Sequence, residues 1–317
     1  MQHFVGEGAR RIKSTLNLMS RCLACITCLA VLGVAQQTAA AGESDKHQDL
    51  FVTANVQFTL CHELTHALIS AFEVPVLGRE EDAADQISAI CFLHPTHENR
   101  RDPQAVEKLV AVADAWRLEW ELDKDSGDTA YWDEHALDIQ RYYYVVCVLY
   151  GSDPLRFAKL PDQLELPWQR AWSCADYEYE RIVKAGKWLL ETYGVARDPA
   201  TNPRAGKVRV VYAIPGENKQ RAYSILKASA LFERKAELIN ATFDLPYDIA
   251  IVATDCLGEA TAYWRQDRRE VVFCYDLVER FDLLAKLRRC ILGSHTGPAN
   301  RRPMDPARIR QCLAGVR

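Results

Sequence analysis

CHELTHALISAFEVPVLGREEDAADQ, residues 61–86, places two histidines four positions apart, His62 and His66, with Glu63 directly after the first. Fifteen residues past the second histidine, Glu81 opens a Glu-x-x-Ala-Asp that ends on Asp85. Upstream and through this stretch apolar residues recur at helical spacing, Val56, Leu60, Leu64, Leu68 and Phe72, which predicts a helix over 55–72. Pro75 and Gly78 stop it, and a second helix fits 79–93. On a helix, positions i and i+4 share a face about 5–6 Å apart. His62 and His66 can therefore turn two imidazoles toward one metal ion. Glu63 lies about 100° further round the helix, close to that point without occupying it.

This is the HExxH pattern. Zinc lowers the pKa of a water on its open position, and a neighbouring carboxylate can take that water's proton. Such a site needs a third protein ligand. Glu81 is the candidate, because it heads the second helix after a loop long enough to reverse the chain, and Asp85 follows one turn later. Asp85 can accept the second N–H of a ligating histidine and fix its tautomer. Glu80 and Asp82 are the rivals of Glu81. The plainer reading of these residues is a solvated acidic face beside half-buried core histidines.

Outward from the motif, the chain reads as helical to residue 194. Asp102-Pro103 opens a helix to about 122, and further helices fit 134–150 and 167–193. A polar, proline-containing connector covers 195–207. Then the pattern changes: KVRVVYAI (207–214), DIAIVATD (248–255), ATAYWR (260–265) and REVVFCYD (269–276) read as strands. The last two form a hairpin across 266–268. Helices at about 222–241, 277–292 and 306–314 complete the half. The fold class is α+β, mainly helical, with a small sheet from the C-terminal half. The domain organisation is 1–41 signal peptide, 42–194 helical metal-binding region, 195–207 connector, and 208–317 a strand-containing region packing on the first.

The signal assignment rests on Arg10, Arg11, Lys13 and Arg21, the apolar run from Leu23 to Ala35, and the small residues Ala39–Ala41 before Gly42. The run falls short of the roughly 20 residues of a membrane span, so no stable span is expected after cleavage. The alternative is an uncleaved anchor. The formal charge of the 317-residue chain is −4. Residues 1–41 hold four of the 39 Lys+Arg and one, Glu7, of the 43 Asp+Glu, so the remainder carries about −7. No basic footprint for nucleic acid exists. Three of the 11 cysteines lie in residues 1–41. The even remainder, without a CxxC, favours disulfides in an oxidising compartment, periplasmic or secreted. Proximity suggests Cys256–Cys274 and Cys290–Cys312. Cys61–Cys91 would tie the two motif helices together.

HExxH with ExxAD on a second helix resembles the glutamate-zincin metallopeptidases. More narrowly, GREEDAADQ, WDEHALDIQRYY and CLGEATAYWRQDRREVVFCYDLVE resemble a bacterial metallopeptidase family grouped as domain of unknown function 4344, over residues 55–281. The resemblance implies that His62, His66 and Glu81 bind zinc and that Glu63 is the general base. It implies a zincin-like fold, but with a departure. In zincins the sheet and its substrate-aligning edge strand precede the metal helix, whereas every strand candidate here follows residue 207. The order looks permuted. A zincin also needs a donor for the oxyanion of the tetrahedral intermediate. His135, Arg141, Tyr142 and Tyr143 are available, with Asp133 or Glu134 to orient His135; His135 and Tyr142 are the catalytic candidates carried forward beside Glu63. The plainer reading of His135 is an ordinary helix N-terminus capped by Asp133. His94 and His97 sit in a loop and His295 in a glycine-containing one.

The sequence therefore points to an exported zinc-dependent metallopeptidase acting on peptide or protein substrates. Two alternatives stay open: a non-catalytic zinc-binding, disulfide-stabilised envelope or interaction protein, and a zinc amidase of cell-wall peptides.

Overall fold

The computed structural model describes residues 46–93, 102–127, 129–194, 206–293 and 302–315. The expected signal peptide, nearly all of the connector, and His94, His97 and His295 lie outside the described residues.

Helix α1 runs 46–72. From Phe51 to Leu64 only Thr53 and Thr59 are not buried. A helix that is buried all round belongs to the centre of a fold, and this one carries Asn55, Gln57, His62 and Glu63 into that centre. α2 (Glu80–Leu93) turns back beside it, after Gly78 takes a φ of +106° that a side chain would strain. α3 (Ala105–Asp123) is buried throughout Leu109–Ala115. Its fully buried Asp114 accepts from Arg288 Nε at 2.6 Å. Arg288 belongs to α10 (Tyr275–Leu292) and also lies over the Phe51 ring. Phe58 meets Trp116 of α3 edge to face. The motif helix is thus held by α3 and α10, which are distant in sequence and joined by two ion pairs, Asp114–Arg288 and Glu119–Arg280.

α4 (Asp138–Ser152) packs on α3 along Tyr142, Val145, Val146 and Leu149. It begins four residues later than the sequence suggested, because Gln140 accepts the Leu137 N–H and Leu137 stays extended at φ −57°, ψ 145°. After α5 (Leu160–Gln163), the single helix expected over 167–193 is divided. α6 (Trp168–Ser173) passes into a π-helical turn at Cys174–Glu178 before α7 (Tyr179–Tyr193). Cys174 is bonded to Cys147 of α4 at that turn. Gly151 permits the approach: a Cβ there would lie 2.5 Å from the Cys174 carbonyl oxygen.

The sheet contains β1 (Val208–Tyr212), β2 (Ile249–Thr254), β3 (Ala262–Arg265) and β4 (Glu270–Cys274) in the order β1-β2-β4-β3. β1, β2 and β4 are parallel, with Val210 opposite Ile251 and Ile251 opposite Val271. β3 returns antiparallel on β4 as the expected hairpin, Arg265 opposite Glu270, and forms an edge. The crossover from β1 to β2 uses α8 (Gln220–Ser229) and α9 (Leu231–Thr242), which part at Ala230 with φ 48°. α11 (Pro306–Ala314) closes on α10. The chain is α+β and mainly helical, with its one small mixed sheet in the C-terminal half.

Cys256–Cys274 and Cys290–Cys312 are bonded, as sequence proximity suggested. The bridge considered between Cys61 and Cys91 is not formed: both are thiols. They rest against each other and against Lys235 of α9. Among the described residues no helix is long and apolar enough to cross a membrane.

Candidate metal centre

The i, i+4 spacing on α1 brings His62 Nε2 and His66 Nε2 to 3.1 Å from each other. α2 supplies the carboxylate. Glu81 Oε2 lies 2.9 Å from His62 Nε2, and Glu81 Oε1 lies 3.5 Å from His66 Nε2. A third imidazole arrives from the non-helical segment 131–137: His135 Nε2 stands 3.0 Å from Glu81 Oε2. His62, Glu81 and His135 make up a group of side chains able to hold a metal ion.

The far side of each ring is equally ordered. His62 Nδ1 faces Asp85 Oδ1 at 2.9 Å, His66 Nδ1 faces Glu80 Oε1 at 2.7 Å, and His135 Nδ1 faces Asp133 Oδ1 at 2.8 Å. A carboxylate only accepts, so each Nδ1 carries the hydrogen. A neutral ring then presents a bare lone pair at Nε2. Three such lone pairs and a carboxylate converge on one region, and they repel unless a cation lies among them. Tetrahedral ligation at 2.0–2.1 Å separates donors by about 3.3 Å. The separations among His62, His66 and Glu81, 2.9–3.5 Å, match that spacing; His135 lies 3.0 Å from Glu81 and within 4.8 Å of a His62 donor.

Protons are the alternative cation, and the electrostatics express the competition. Burial opposes charge on His66, yet its contacts with Glu81 and Glu80 raise its pKa to about 9. His62 is also raised, by Asp85 and Glu81 against its burial. The His135 ring is raised, chiefly by Glu81. Burial would raise Glu81, but the three imidazoles hold it far below the usual carboxylate range.

Asp85 is 6% exposed and also receives Arg141 through two bonds, Nε to Oδ2 at 2.8 Å and Nη2 to Oδ1 at 2.6 Å. The Arg141 guanidinium stacks 3.6 Å from the Trp116 ring centroid. α3, α4 and α2 thus lock the carboxylate that orients His62.

Glu63 is buried and its carboxyl is raised by that burial, with His62 and His66 opposing. The backbone N–H of Trp264 on edge strand β3 faces it and also opposes the rise. The sheet, although C-terminal in sequence, thus comes up to the motif. Glu63, His62, His135, Arg141 and Thr261 line one cavity of about 310 Å³.

The structure brings Glu63, His62, His66, Glu81, Asp85 and His135 together and leaves Tyr142 out. The Tyr142 hydroxyl is donated to the Leu164 carbonyl at 2.6 Å and the residue is 2% exposed. It cannot reach an oxyanion. Sequence reasoning treated Glu80 as a rival ligand, whereas it sits behind His66; Asp82 pairs with Arg79 instead. His135 is an oxyanion candidate from the sequence, and its ring nitrogen lies 3.0 Å from Glu81, within the group able to hold a metal ion.

The chain belongs to the family described as "Putative metallopeptidase", domain of unknown function 4344, whose model matches residues 21–190 and 214–288. No curated protein and no solved structure matches it.

Proposed function

We propose that this chain is an exported zinc-dependent metallopeptidase that hydrolyses peptide bonds in peptide or protein substrates. The observation that carries the reading is the convergence of His62 Nε2, His66 Nε2 and Glu81, with His62 and the adjacent Glu63 opening on one cavity. His62, His66 and Glu81 hold the ion, and Asp85, pinned by Arg141, keeps His62 Nε2 pointed at it. Bound there, zinc supplies a Lewis acid that acidifies water and polarises a carbonyl.

The remaining chemistry belongs to the chain. Glu63 takes a proton from the attacking water and returns it to the leaving amine. Its raised affinity for a proton suits that exchange. The outer edge of β3 gives an extended substrate a strand to pair with. Arg141 is the one permanent cation among the described residues lining the cavity, placed to favour the oxyanion. Export is supported by the basic-then-apolar N-terminal pattern and by three disulfides.

Glu63→Gln tests the reading. Hydrolysis of a casein or mixed-peptide substrate should fall by at least about 100-fold while one zinc stays bound. Unchanged hydrolysis in that variant would sink the mechanism.

One observation favours a second reading, a non-catalytic zinc-binding envelope protein. His135 Nε2 stands 3.0 Å from Glu81 and within 4.8 Å of a His62 donor, which offers the centre a fourth protein donor, and structural zinc sites use four.

A further inference from the structure

Four donors in a hydrolytic centre pose a conflict, because catalysis requires a position that substrate and water can use. The four do not stand on equal footing. His62, His66 and Glu81 project from α1 and α2, and His62 is 4% exposed behind the locked Asp85–Arg141 pair. The side chain of His135 is 51% exposed; among the described residues its ring nitrogens meet Glu81 and Asp133, the latter 43% exposed, and its ring stacks on that of His62 at 6.3 Å. The segment that bears it, 131–135, is exposed at every residue and lies outside any helix or strand. Segments with few buried contacts detach locally at a small fraction of the global unfolding cost. Among the donors, His135 shares the cavity with Glu63 and His62, so moving it opens the side that Glu63 faces.

We propose that His135 is a removable fourth ligand: it closes the metal centre at rest and yields its position to an incoming donor, so that the resting protein is self-inhibited. This rests on the metal-centre reading above. Asp133 plays the positioning part, holding the ring's Nδ1–H so that Nε2 points inward. Removal of His135 then weakens metal binding without abolishing it and makes the centre more receptive to outside ligands. A structural fourth ligand would do the first and not the second.

The test uses the purified chain loaded with zinc or with Co(II), comparing wild type with His135→Ala, Asp133→Asn and His62→Ala. Zinc affinity is read by competition with a chromophoric chelator. The open position is read by titrating acetohydroxamate into the Co(II) form and following the visible spectrum. His135→Ala should keep one zinc, bind it about tenfold to 100-fold more weakly, and take up acetohydroxamate at least about tenfold more tightly than wild type. Asp133→Asn should shift both readings in the same directions by smaller factors. Zinc and hydroxamate affinities in His135→Ala equal to those of wild type would overturn the proposal. So would complete loss of zinc from His135→Ala, which would make His135 as indispensable as His62. Zinc retained at full affinity in His62→Ala would instead overturn the metal-centre reading itself.

Discussion

Replacing Asp85 separates stability from metal binding. Its carboxylate, 6% exposed, accepts from His62 Nδ1 and twice from Arg141. Asp85→Ala leaves a guanidinium that is 11% exposed without its counterion. Breaking one side of a buried pair costs about 3–5 kcal/mol, and the stack on Trp116, which survives, places the expected loss near the lower end. The sign with pH follows from the depressed Asp85 pKa, where burial is outweighed by Arg141 and His62. The contribution is fully present above the ordinary value of 3.8 and is lost as pH falls through the lower folded value. Replacing both partners, Asp85→Leu with Arg141→Met, removes the stranded charge and should restore stability to within about 1 kcal/mol of wild type. It cannot restore the orientation of His62. Zinc affinity should stay about 10- to 100-fold low, equivalent to about 1.4–2.7 kcal/mol. Urea unfolding of the metal-free chains measures the first quantity and chelator competition the second. Wild-type zinc affinity in the double variant would refute the orienting role. A loss below about 1 kcal/mol in Asp85→Ala would refute the burial argument.

Two further outcomes are expected. Tyr142→Phe strands the Leu164 carbonyl and should cost about 1–3 kcal/mol in urea unfolding while leaving hydrolysis unchanged, because the hydroxyl is committed to that carbonyl. Asp138 lines the cavity and its pKa is raised to about 6, first by burial and then by Glu119. The folded chain therefore holds that proton more tightly than the unfolded chain, so stability is lost as pH rises from 3.8 to about 6. Asp138→Asn should flatten this trend and stabilise the protein at pH 7 by up to about 2 kcal/mol, after discounting for solvent screening, read as melting temperature against pH.

The motif helices were legible because both their signals are local. The i, i+4 spacing of His62 and His66 and the one-turn spacing of Glu81 and Asp85 decide which side chains share a face, and the structure brings the four together. The strands were legible from β-branched runs, and the β3–β4 hairpin from its short connection. Other features depend on tertiary contacts. The meeting of His135 with Glu81 joins residues 54 apart through a segment that stays out of α4. Two local bonds hold it there, Asp133 accepting the His135 N–H and Gln140 accepting the Leu137 N–H. Tyr142 was misassigned although its signal was present: with Val145, Val146 and Leu149 it marks the core face of α4. Cysteine parity suggested full pairing, but parity says nothing of the two thiols that pack against Lys235.

The central claim is that one metal ion sits among His62, His66 and Glu81. The most direct test is zinc content per chain for the purified protein beside His66→Ala and Glu81→Ala, after equilibration with stoichiometric zinc and removal of unbound ion. About one zinc is expected in wild type, with loss of it in both variants. Full zinc retention in Glu81→Ala, or no zinc in wild type, would contradict the claim.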